Sequence, residues 1–456
     1  RATVADRDGD GRLERGPGEP LRDRTELGRK ASAPREVARI GQLTDTHVRD
    51  EESPARVPFL DRLGPPVTST FRPQEAVSAR VLNAAVRSLD AERPDEVLVT
   101  GDLLDNAQRN ELDQLLAVLR GGRVDPDSGA RGYRGVQSAG NPDGFFYRPA
   151  VDAPRHRGVL RRAQRSFVAP GLRAPFALAL GNHDLMVQGE LPPSSATDAI
   201  ATGDEALLTF DPGLRDLLDQ LPRGADPTPD LRDVPRPAIE ALLSSGVPGR
   251  ATRVPPDPRR RAVRAGEIGP AHRSLDVGPV RVIVLDTVDR DGGAGGVVTE
   301  TETRFLRDQL AKAADDAWIL VADHHGLERS ANSAEALALL DADPRVVAEI
   351  SGDTHRHEIR PRFTAIGGWW QITTSSLADW PQQGRMLRFV EGAGGARAIE
   401  TWVVDHAGAP EDPEDLAGFG REMAYLDAQG GRPQRFAGTR EDRNVRLWLP
   451  NRWGMS

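Results

Sequence analysis

Residues 176–184 read Phe-Ala-Leu-Ala-Leu-Gly-Asn-His-Asp, a short apolar run that ends in a glycine and three polar side chains. Five consecutive apolar residues before a glycine are typical of a buried β-strand that ends in a turn. Asn182, His183 and Asp184 therefore stand directly behind a predicted strand. In open α/β sheets, this edge of the sheet is where ligands bind and reactions take place.

The same arrangement recurs at four other places in the chain. Strands are predicted at residues 37–43, 96–100, 318–322 and 346–350. They are followed by Asp45-Thr46-His47, Gly101-Asp102, His324-His325 and Gly352-Asp353-Thr354-His355-Arg356-His357. Because strand ends meet at one edge of a sheet, the pattern predicts a site for two metal ions that is built from loops.

The predicted elements alternate between strands and helices. Apolar residues with helical spacing at 76–89 lie between the first two of these strands, and this part of the chain is typical of a βαβ unit. Further strands are predicted at 280–285, 369–374 and 385–390. The alternation indicates the α/β fold class.

Four stretches rich in Gly, Pro, Arg and polar residues depart from this alternation. We predict an extended N-terminal arm at residues 1–35 and a catalytic domain at 36–406. Insertions at 107–170 and 186–270 are too long for ordinary connections, so we expect them to cap the active-site face and shape substrate choice. Residues 407–456 form a polar tail that we expect to pack on the domain. Its predicted aromatic anchors are Phe419, Tyr425, Trp448 and Trp453.

The composition argues against several classes of protein. The 456 residues carry a net charge of −9, which does not favour a surface for nucleic acid. There is no cysteine, so thiolate metal sites, disulfides and a cysteine nucleophile are excluded. No apolar run reaches the length of about 18 residues that a membrane span needs. Because the chain begins at Arg1, we expect a removed export signal and a secreted or cell-envelope location in a bacterium, with the cytoplasm as the alternative.

The ordered set Asp-x-His, Gly-Asp-x-x-Asp, Gly-Asn-His-Asp, His and Gly-x-Thr-His resembles the calcineurin-like metallophosphoesterase superfamily. The motifs extend from Asp45 to His357, about two thirds of the chain. The finer resemblance is to exported bacterial members related to purple acid phosphatases and cyclic-nucleotide phosphodiesterases. It implies a two-sheet α/β sandwich flanked by helices, and a metal-dependent hydrolase, either a phosphatase or a phosphodiesterase.

The resemblance also implies two sets of metal ligands that share Asp102. The first set is Asp45, His47, Asp102 and His355, and the second is Asp102, Asn182, His324 and Asp353. Carboxylate, amide and imidazole ligands suit a dinuclear centre of Mn, Fe, Zn or Mg ions. We prefer His324 to His325 because the family's ligand lies two residues before a proline, and Gly326 holds that place here.

One residue departs from the family's pattern. Where the family has Gly-His-Thr-His, this chain has Asp353 in place of the first imidazole. A carboxylate binds a divalent ion through oxygen, but it adds a negative charge and favours a harder metal. An alternative register would use His355 and His357 as the ligand pair. We prefer the first register because Gly352 fixes the turn directly after the strand.

Three further residues are expected to face the substrate or to support a ligand. They are Asn106, His325 and His357. The resemblance implies in-line attack on phosphorus by a metal-bound hydroxide. His183 would stabilise the transition state or protonate the leaving group, and Asp184 would orient its imidazole.

The expected partner is a small phosphoester, either a monoester or a diester, rather than a nucleic acid. Nucleotide-like or sugar phosphates, cyclic nucleotides and lipid head groups are the leading candidates. The alternative function is a catalytically impaired member of the superfamily that binds a phosphorylated ligand, with Asp353 marking the loss of one metal. The sequence does not specify an oligomeric state.

Overall fold

The computed structural model describes residues 2–32, 35–63, 70–207, 251–427 and 434–450. Trp453 and residues 208–250 of the predicted second insertion lie outside the described residues. The strands are β1 Ala2–Ala5, β2 Glu14–Pro17, β3 Arg22–Arg24, β4 Arg35–Leu43, β5 Glu96–Thr100, β6 Gly122–Val124, β7 Phe167–Ala169, β8 Phe176–Ala179, β9 Glu205–Leu207, β10 Ala251–Arg253, β11 Arg273–Val277, β12 Val280–Val284, β13 Trp318–Ala322, β14 Val346–Ser351, β15 Glu358–Thr364, β16 Gly367–Thr373, β17 Gln383–Glu391, β18 Arg397–Asp405 and β19 Val445–Trp448. The α-helices are α1 Ser78–Ala91, α2 Arg109–Arg120, α3 Val159–Ala163, α4 Asn182–Leu185, α5 Ser195–Thr202, α6 Ala265–Ile268, α7 Glu300–Lys312, α8 Ala334–Ala342 and α9 Leu416–Leu426.

Two large sheets organise the described residues. One has seven strands in the order β3, β19, β18, β17, β4, β5, β8, and the other has six in the order β11, β12, β13, β14, β16, β15. Strands β4, β5 and β8 run parallel, as do β12, β13, β14 and β16. Parallel neighbours end at the same edge, so the loops that follow them in each sheet lie side by side.

The apolar core lies in three layers. Ile40 and Leu98 of the seven-stranded sheet pack with Leu320 and Ile350 of the six-stranded sheet, so the two sheets face each other. Helices α1, α2 and α9 cover the outer face of the first sheet. Helices α7 and α8 cover the outer face of the second. Each sheet thus buries both faces, which confirms the predicted two-sheet α/β sandwich flanked by helices.

The N-terminal region differs from the expected extended arm. Strands β1 and β2 form an antiparallel hairpin, and β3 pairs with β19 at the edge of the seven-stranded sheet. These strands are only three or four residues long, so they are too short for an alternation of apolar residues to mark them in the sequence. The tail contributes α9 and β19, and its anchors Phe419, Tyr425 and Trp448 are buried.

Described residues of both predicted insertions contact the loop that follows His47. Asp50 in this loop accepts hydrogen bonds from the Ser128 hydroxyl at 2.7 Å and from Arg260 Nε at 2.9 Å. Glu51 accepts from Gln164 Nε2 at 2.6 Å. Residues from both predicted insertions therefore hold one buried loop beside the candidate site. Among the helices that the structure describes, none is long and apolar enough to cross a membrane.

Candidate metal centre

Loops from both sheets bring the predicted ligands together at one end of the sandwich. Asp45, Asp102 and Asn182 follow β4, β5 and β8 of the seven-stranded sheet. His324 and the pair Asp353 and His355 follow β13 and β14 of the six-stranded sheet. The carboxyl ends of the parallel strands thus position the site, as the sequence pattern predicts.

The first ligand group consists of Asp45, His47, Asp102 and His355. Its ligand atoms all lie within 4.8 Å of one another. Nε2 of His47 lies 3.2 Å from Nε2 of His355 and 3.5 Å from Oδ2 of Asp102. Nε2 of His355 is 3.4 Å from Oδ1 of Asp45. Imidazole nitrogens and carboxylate oxygens that converge in this way fit one divalent or trivalent ion.

The second ligand group consists of Asp102, Asn182, His324 and Asp353. Oδ1 of Asp102, the oxygen not directed at the first group, lies 3.3 Å from Nε2 of His324. Asn182 donates its amide N–H to the Gly189 carbonyl at 2.9 Å, and its Oδ1 is buried without a hydrogen-bond partner among the described residues. Asp353 lies beside His324, with 28% of its side chain exposed.

The protons on the ligand histidines show why a cation fits this space. His324 Nδ1 donates to the Thr100 carbonyl at 2.9 Å, so its Nε2 presents a lone pair in the neutral form. Burial would lower the pKa of this imidazole, but the nearby Asp102 carboxylate raises it, so an ion that binds at Nε2 competes with a proton. The buried Asn182 Oδ1 is a further acceptor without a donor among the residues described. A cation would satisfy all of these atoms, so the residues present fit the dinuclear centre.

Two carboxylates hold the histidines of the first group. His47 Nδ1 lies 3.2 Å from Asp105 Oδ1, and His355 Nδ1 lies 2.5 Å from Asp379 Oδ2. Each carboxylate is paired with an arginine, Asp105 with Arg49 and Asp379 with Arg72. A metal-binding histidine whose other nitrogen donates to a carboxylate is fixed in tautomer and orientation. Both histidines are therefore oriented for ligation before any ion binds.

The pKa of His355 shows that an ion must displace a proton from this imidazole. Burial alone would lower this pKa, but the carboxylates of Asp45 and Asp379 raise it to about 10. The metal-free imidazole is therefore protonated at neutral pH. Because a ligand histidine must be neutral, metal binding at the first group releases a proton.

The backbone at the ligands is strained. Asp45, His47, Asp102, Asp353 and His355 have positive φ angles of 49°, 39°, 46°, 69° and 57°. Residues with a Cβ rarely adopt this conformation, which costs roughly 1–2 kcal/mol each. Close packing adds a constraint, because a Cβ on Gly101 would lie 2.5 Å from the His324 ring. Such strain persists where the surrounding structure stabilises it, and it gathers at functional sites.

Removal of metal should therefore destabilise the protein. We expect Mn²⁺ at about 100 times its Kd to raise the free energy of unfolding by about 2.7 kcal/mol over that of chelator-treated protein. Thermal unfolding, monitored by circular dichroism at constant ionic strength, measures the shift. The reason is that an ion bonded to the ligand oxygens and nitrogens holds these atoms together. Its binding energy offsets the strain of the loops that carry them. A melting temperature that does not change with Mn²⁺ would contradict this assignment of the ligands.

The structure separates Asp184 from the His183 imidazole that the sequence predicts it to orient. His183 Nδ1 donates to the carbonyl of Asp105 at 2.6 Å, and its side chain is 20% exposed beside the first ligand group. Asp184 does not contact this imidazole. Its carboxylate accepts from the backbone N–H groups of Gly181 at 2.8 Å and of Leu103 at 2.8 Å.

The orienting role predicted for Asp184 is therefore wrong. The reason is helical geometry, because the two residues are adjacent in α4 and adjacent side chains on a helix point apart. The backbone of Asp105 orients His183 instead. Burial, and then the charge of Asp102, raise the pKa of Asp184 to about 8. Asp184 thus joins the loops behind the site and does not take part in it.

The other supporting residues divide into two kinds. Asn106 Oδ1 accepts from the Gln188 backbone N–H at 2.7 Å, so Asn106 holds the loop that packs against Asn182 and His183. His357 is fully buried outside both ligand groups, where it accepts from the Ser375 N–H at 3.2 Å. The alternative register, with His355 and His357 as a ligand pair, is therefore wrong, and His357 does not face a substrate.

Two supporting carboxylates were not among the predicted site residues. Asp105 ends the Gly-Asp-x-x-Asp motif, so the motif itself marked it. Asp379 follows β16, in a loop where no repeated pattern points to it, and only the three-dimensional contact with His355 reveals it.

Replacing Asp379 with asparagine should weaken the first ion's binding by about 10–100-fold, because His355 loses its charged partner. Calorimetric titration of the chelator-treated protein with Mn²⁺ measures the affinity. The matched control is Arg72→Gln, which removes the arginine from Asp379 but leaves the bond to His355. Equal losses in both variants would mean that Asp379 acts through the stability of the loop and not through His355.

Known proteins resemble this chain in sequence or in structure. The sequence profile of the family described as calcineurin-like phosphoesterase matches residues 38–357. A dimetal phosphatase from Danio rerio aligns with 82% of this chain and 100% of its own, at 14% identity and a TM-score of 0.39. A purple acid phosphatase from yellow lupin (Lupinus luteus) seeds aligns with 80% of this chain and 51% of its own, at 12% identity and a TM-score of 0.35. No curated protein sequence matches the chain significantly.

Proposed function

The chain belongs to the calcineurin-like phosphoesterase family and is a metal-dependent phosphoesterase, and from this premise we propose that it hydrolyses monoesters or diesters of small phosphorylated molecules. The observation that carries the proposal is the convergence of two ligand groups on the shared carboxylate of Asp102. Each group presents buried acceptor atoms from loops of both sheets. That arrangement supports two ions side by side, which together would stabilise the attacking and leaving oxygens of an in-line phosphoryl transfer.

Two ions held by the groups around Asp102 would supply Lewis acidity, to activate a water molecule and to neutralise charge on the phosphoryl oxygens. The chain's own residues position the candidate proton donor, His183. Asp102 accepts the His183 backbone N–H at 3.0 Å, which ties the main chain of His183 to the carboxylate shared by the two groups. His183 Nδ1 is held by the Asp105 carbonyl, so Nε2 is free to donate to an ester oxygen when the ring is protonated.

The ligand atoms indicate the kind of ion. Of the seven proposed ligands, four offer oxygen and three offer an imidazole nitrogen. This mixture favours Mn, Fe, Zn or Mg over ions that require sulfur. We propose a dinuclear centre of such ions.

The charge of the chain and the setting of the site support a small substrate. The net charge of −9 offers no long-range attraction for a polyanion. Asp45, His47 and Asp102 of the first ligand group are buried, and residues of both insertions hold the neighbouring loop. A compact phosphoester fits such a site better than a nucleic acid does.

Steady-state hydrolysis tests the proposal. Chelator-treated protein is reconstituted with Mn²⁺ and assayed with 4-nitrophenyl phosphate and bis(4-nitrophenyl) phosphate, beside the variant Asp353→His. We expect metal-dependent turnover by the unmodified chain, and the better substrate distinguishes monoesterase from diesterase. Turnover by the histidine variant alone would overturn the proposal and favour a protein that binds a phosphorylated ligand without cleaving it.

A further inference from the structure

We propose that His325 is a ligand of the second ion, and that it supplies the imidazole that the family's pattern places at position 353. This inference rests on the metal centre of the proposed function. It changes the second ligand group from four residues to five. The ion would then be held by Asp102, Asn182, His324, His325 and Asp353.

The position of the His325 ring carries the inference. His325 Nε2 lies 4.0 Å from Asp353 Oδ1, and His324, His325 and Asp353 present ligand atoms that all lie within 4.8 Å of one another. With metal–ligand bonds of about 2.1 Å, two atoms on opposite sides of one ion are about 4.2 Å apart. The separation between His325 and Asp353 therefore fits two ligands that share an ion.

The His325 imidazole is buried and incompletely bonded. Only 1% of the residue is exposed, and Nε2 has no hydrogen-bond partner among the residues that the structure describes. Nδ1 lies 3.0 Å from the Thr287 hydroxyl, whose oxygen also accepts the His325 backbone N–H at 3.2 Å. With its proton on Nδ1, the ring directs a lone pair from Nε2 toward Asp353. Buried polar atoms of native proteins usually have a partner, and an ion supplies one here.

The surroundings hold the ring in this place. A Cβ on Gly296 would lie 2.5 Å from His325 Cβ, so the loop that contains Gly296 closes directly on the side chain. The rings of His324 and His325 stand edge to face, with centroids 4.6 Å apart. Two adjacent histidines can therefore approach one ion from different sides without a change of backbone.

The imidazole of His325 compensates for the carboxylate that stands at position 353. Asp353 brings a harder oxygen and an additional negative charge to the second group. His325 restores a second nitrogen, so each group offers two imidazoles: His47 and His355 in the first, His324 and His325 in the second. The second group then keeps the mixed nitrogen and oxygen ligands that suit Mn, Fe or Zn.

One competing role exists for this imidazole. With the proton on Nε2, the ring would be a hydrogen-bond donor to a substrate phosphoryl oxygen instead of a ligand. The two roles differ in whether Nε2 bonds directly to a metal.

Cadmium-113 substitution distinguishes these roles. The full chain, labelled with ¹⁵N at histidine, is loaded with ¹¹³Cd²⁺, and the imidazole nitrogens that show one-bond coupling to cadmium are counted by NMR. We expect four coupled imidazoles in the unmodified protein and three in His325→Gln. The control His272→Gln, a partly exposed histidine paired with Glu302, should retain four. The variant His183→Gln should also retain four, which excludes His183 as the additional ligand.

Three coupled imidazoles in the unmodified protein would overturn the inference, as would an unchanged count in His325→Gln. A His325 signal that shifts only when inorganic phosphate is added would overturn it as well, in favour of the donor role. If His325→Gln does not fold, the count in the unmodified protein and in His183→Gln still decides. The inference and the proposed function can fail separately, because three coupled imidazoles with full turnover reject only the inference.

Discussion

Replacing Asp102 with asparagine should lower kcat/KM by about 10⁴-fold or more, because each ion contributes several kcal/mol of transition-state stabilisation and both depend on this carboxylate. Asparagine is the informative replacement. It tolerates the left-handed backbone that Asp102 adopts, and its amide oxygen can still accept the His183 N–H. The loss would therefore reflect the bridging charge and not a collapsed loop.

Metal content and activity should be measured together in this variant. We expect fewer than two Mn²⁺ ions per chain after dialysis, against two in the unmodified protein. The matched control is Asp276→Asn, an exposed carboxylate paired with Arg281, which should keep both ions and full activity. Full activity in Asp102→Asn would remove the basis for a shared ligand.

The second large effect is expected at His183. The variant His183→Gln should lose about 10²-fold or more in kcat on an alkyl phosphate, whose leaving oxygen needs a proton. On 4-nitrophenyl phosphate, whose leaving group departs without protonation, the loss should be about tenfold or less. The reason is that His183 is partly exposed at the edge of the first ligand group and its Nε2 faces no acceptor that the structure describes.

The dependence on the leaving group is the decisive readout for His183. An imidazole that only supported the site would lower the activity on both substrates equally. Metal content should stay at two ions, because His183 is in neither ligand group, and His272→Gln is again the control. Equal losses on both substrates would contradict a role as proton donor.

Much of the fold could be predicted because the central strands are buried on both faces. The apolar runs at β5 and β13 coincide with the observed bounds, since a fully buried strand leaves a continuous apolar signal. The strands at the edges of the sheets could not be predicted in this way. Strands such as β3 consist of polar residues, and they are stabilised by backbone pairing with distant segments such as β19.

The convergence of the proposed ligands could be predicted for a similar reason, because their motifs follow such strands. The supporting contacts could not be predicted, because they join residues from separate loops. Asp379 reaches His355 from the loop after β16, and Thr100 contributes only its carbonyl to His324. The mistaken role of Asp184 shows that proximity in sequence can also mislead. A residue next to a histidine in the sequence need not contact its side chain in the structure.

The order of the strands has a consequence for biosynthesis. The seven-stranded sheet pairs β4, near the start of the chain, with β17, and it continues through β18 to β19. The ribosome must therefore release the residues from β3 to β19 before the seven-stranded sheet is complete. Until β13 and β14 have left the ribosome, the early loops carry Asp45, Asp102 and Asn182 without their imidazole partners from the second sheet. Because long-range pairing folds slowly, the nascent chain passes through a stage that is exposed to proteases and aggregation.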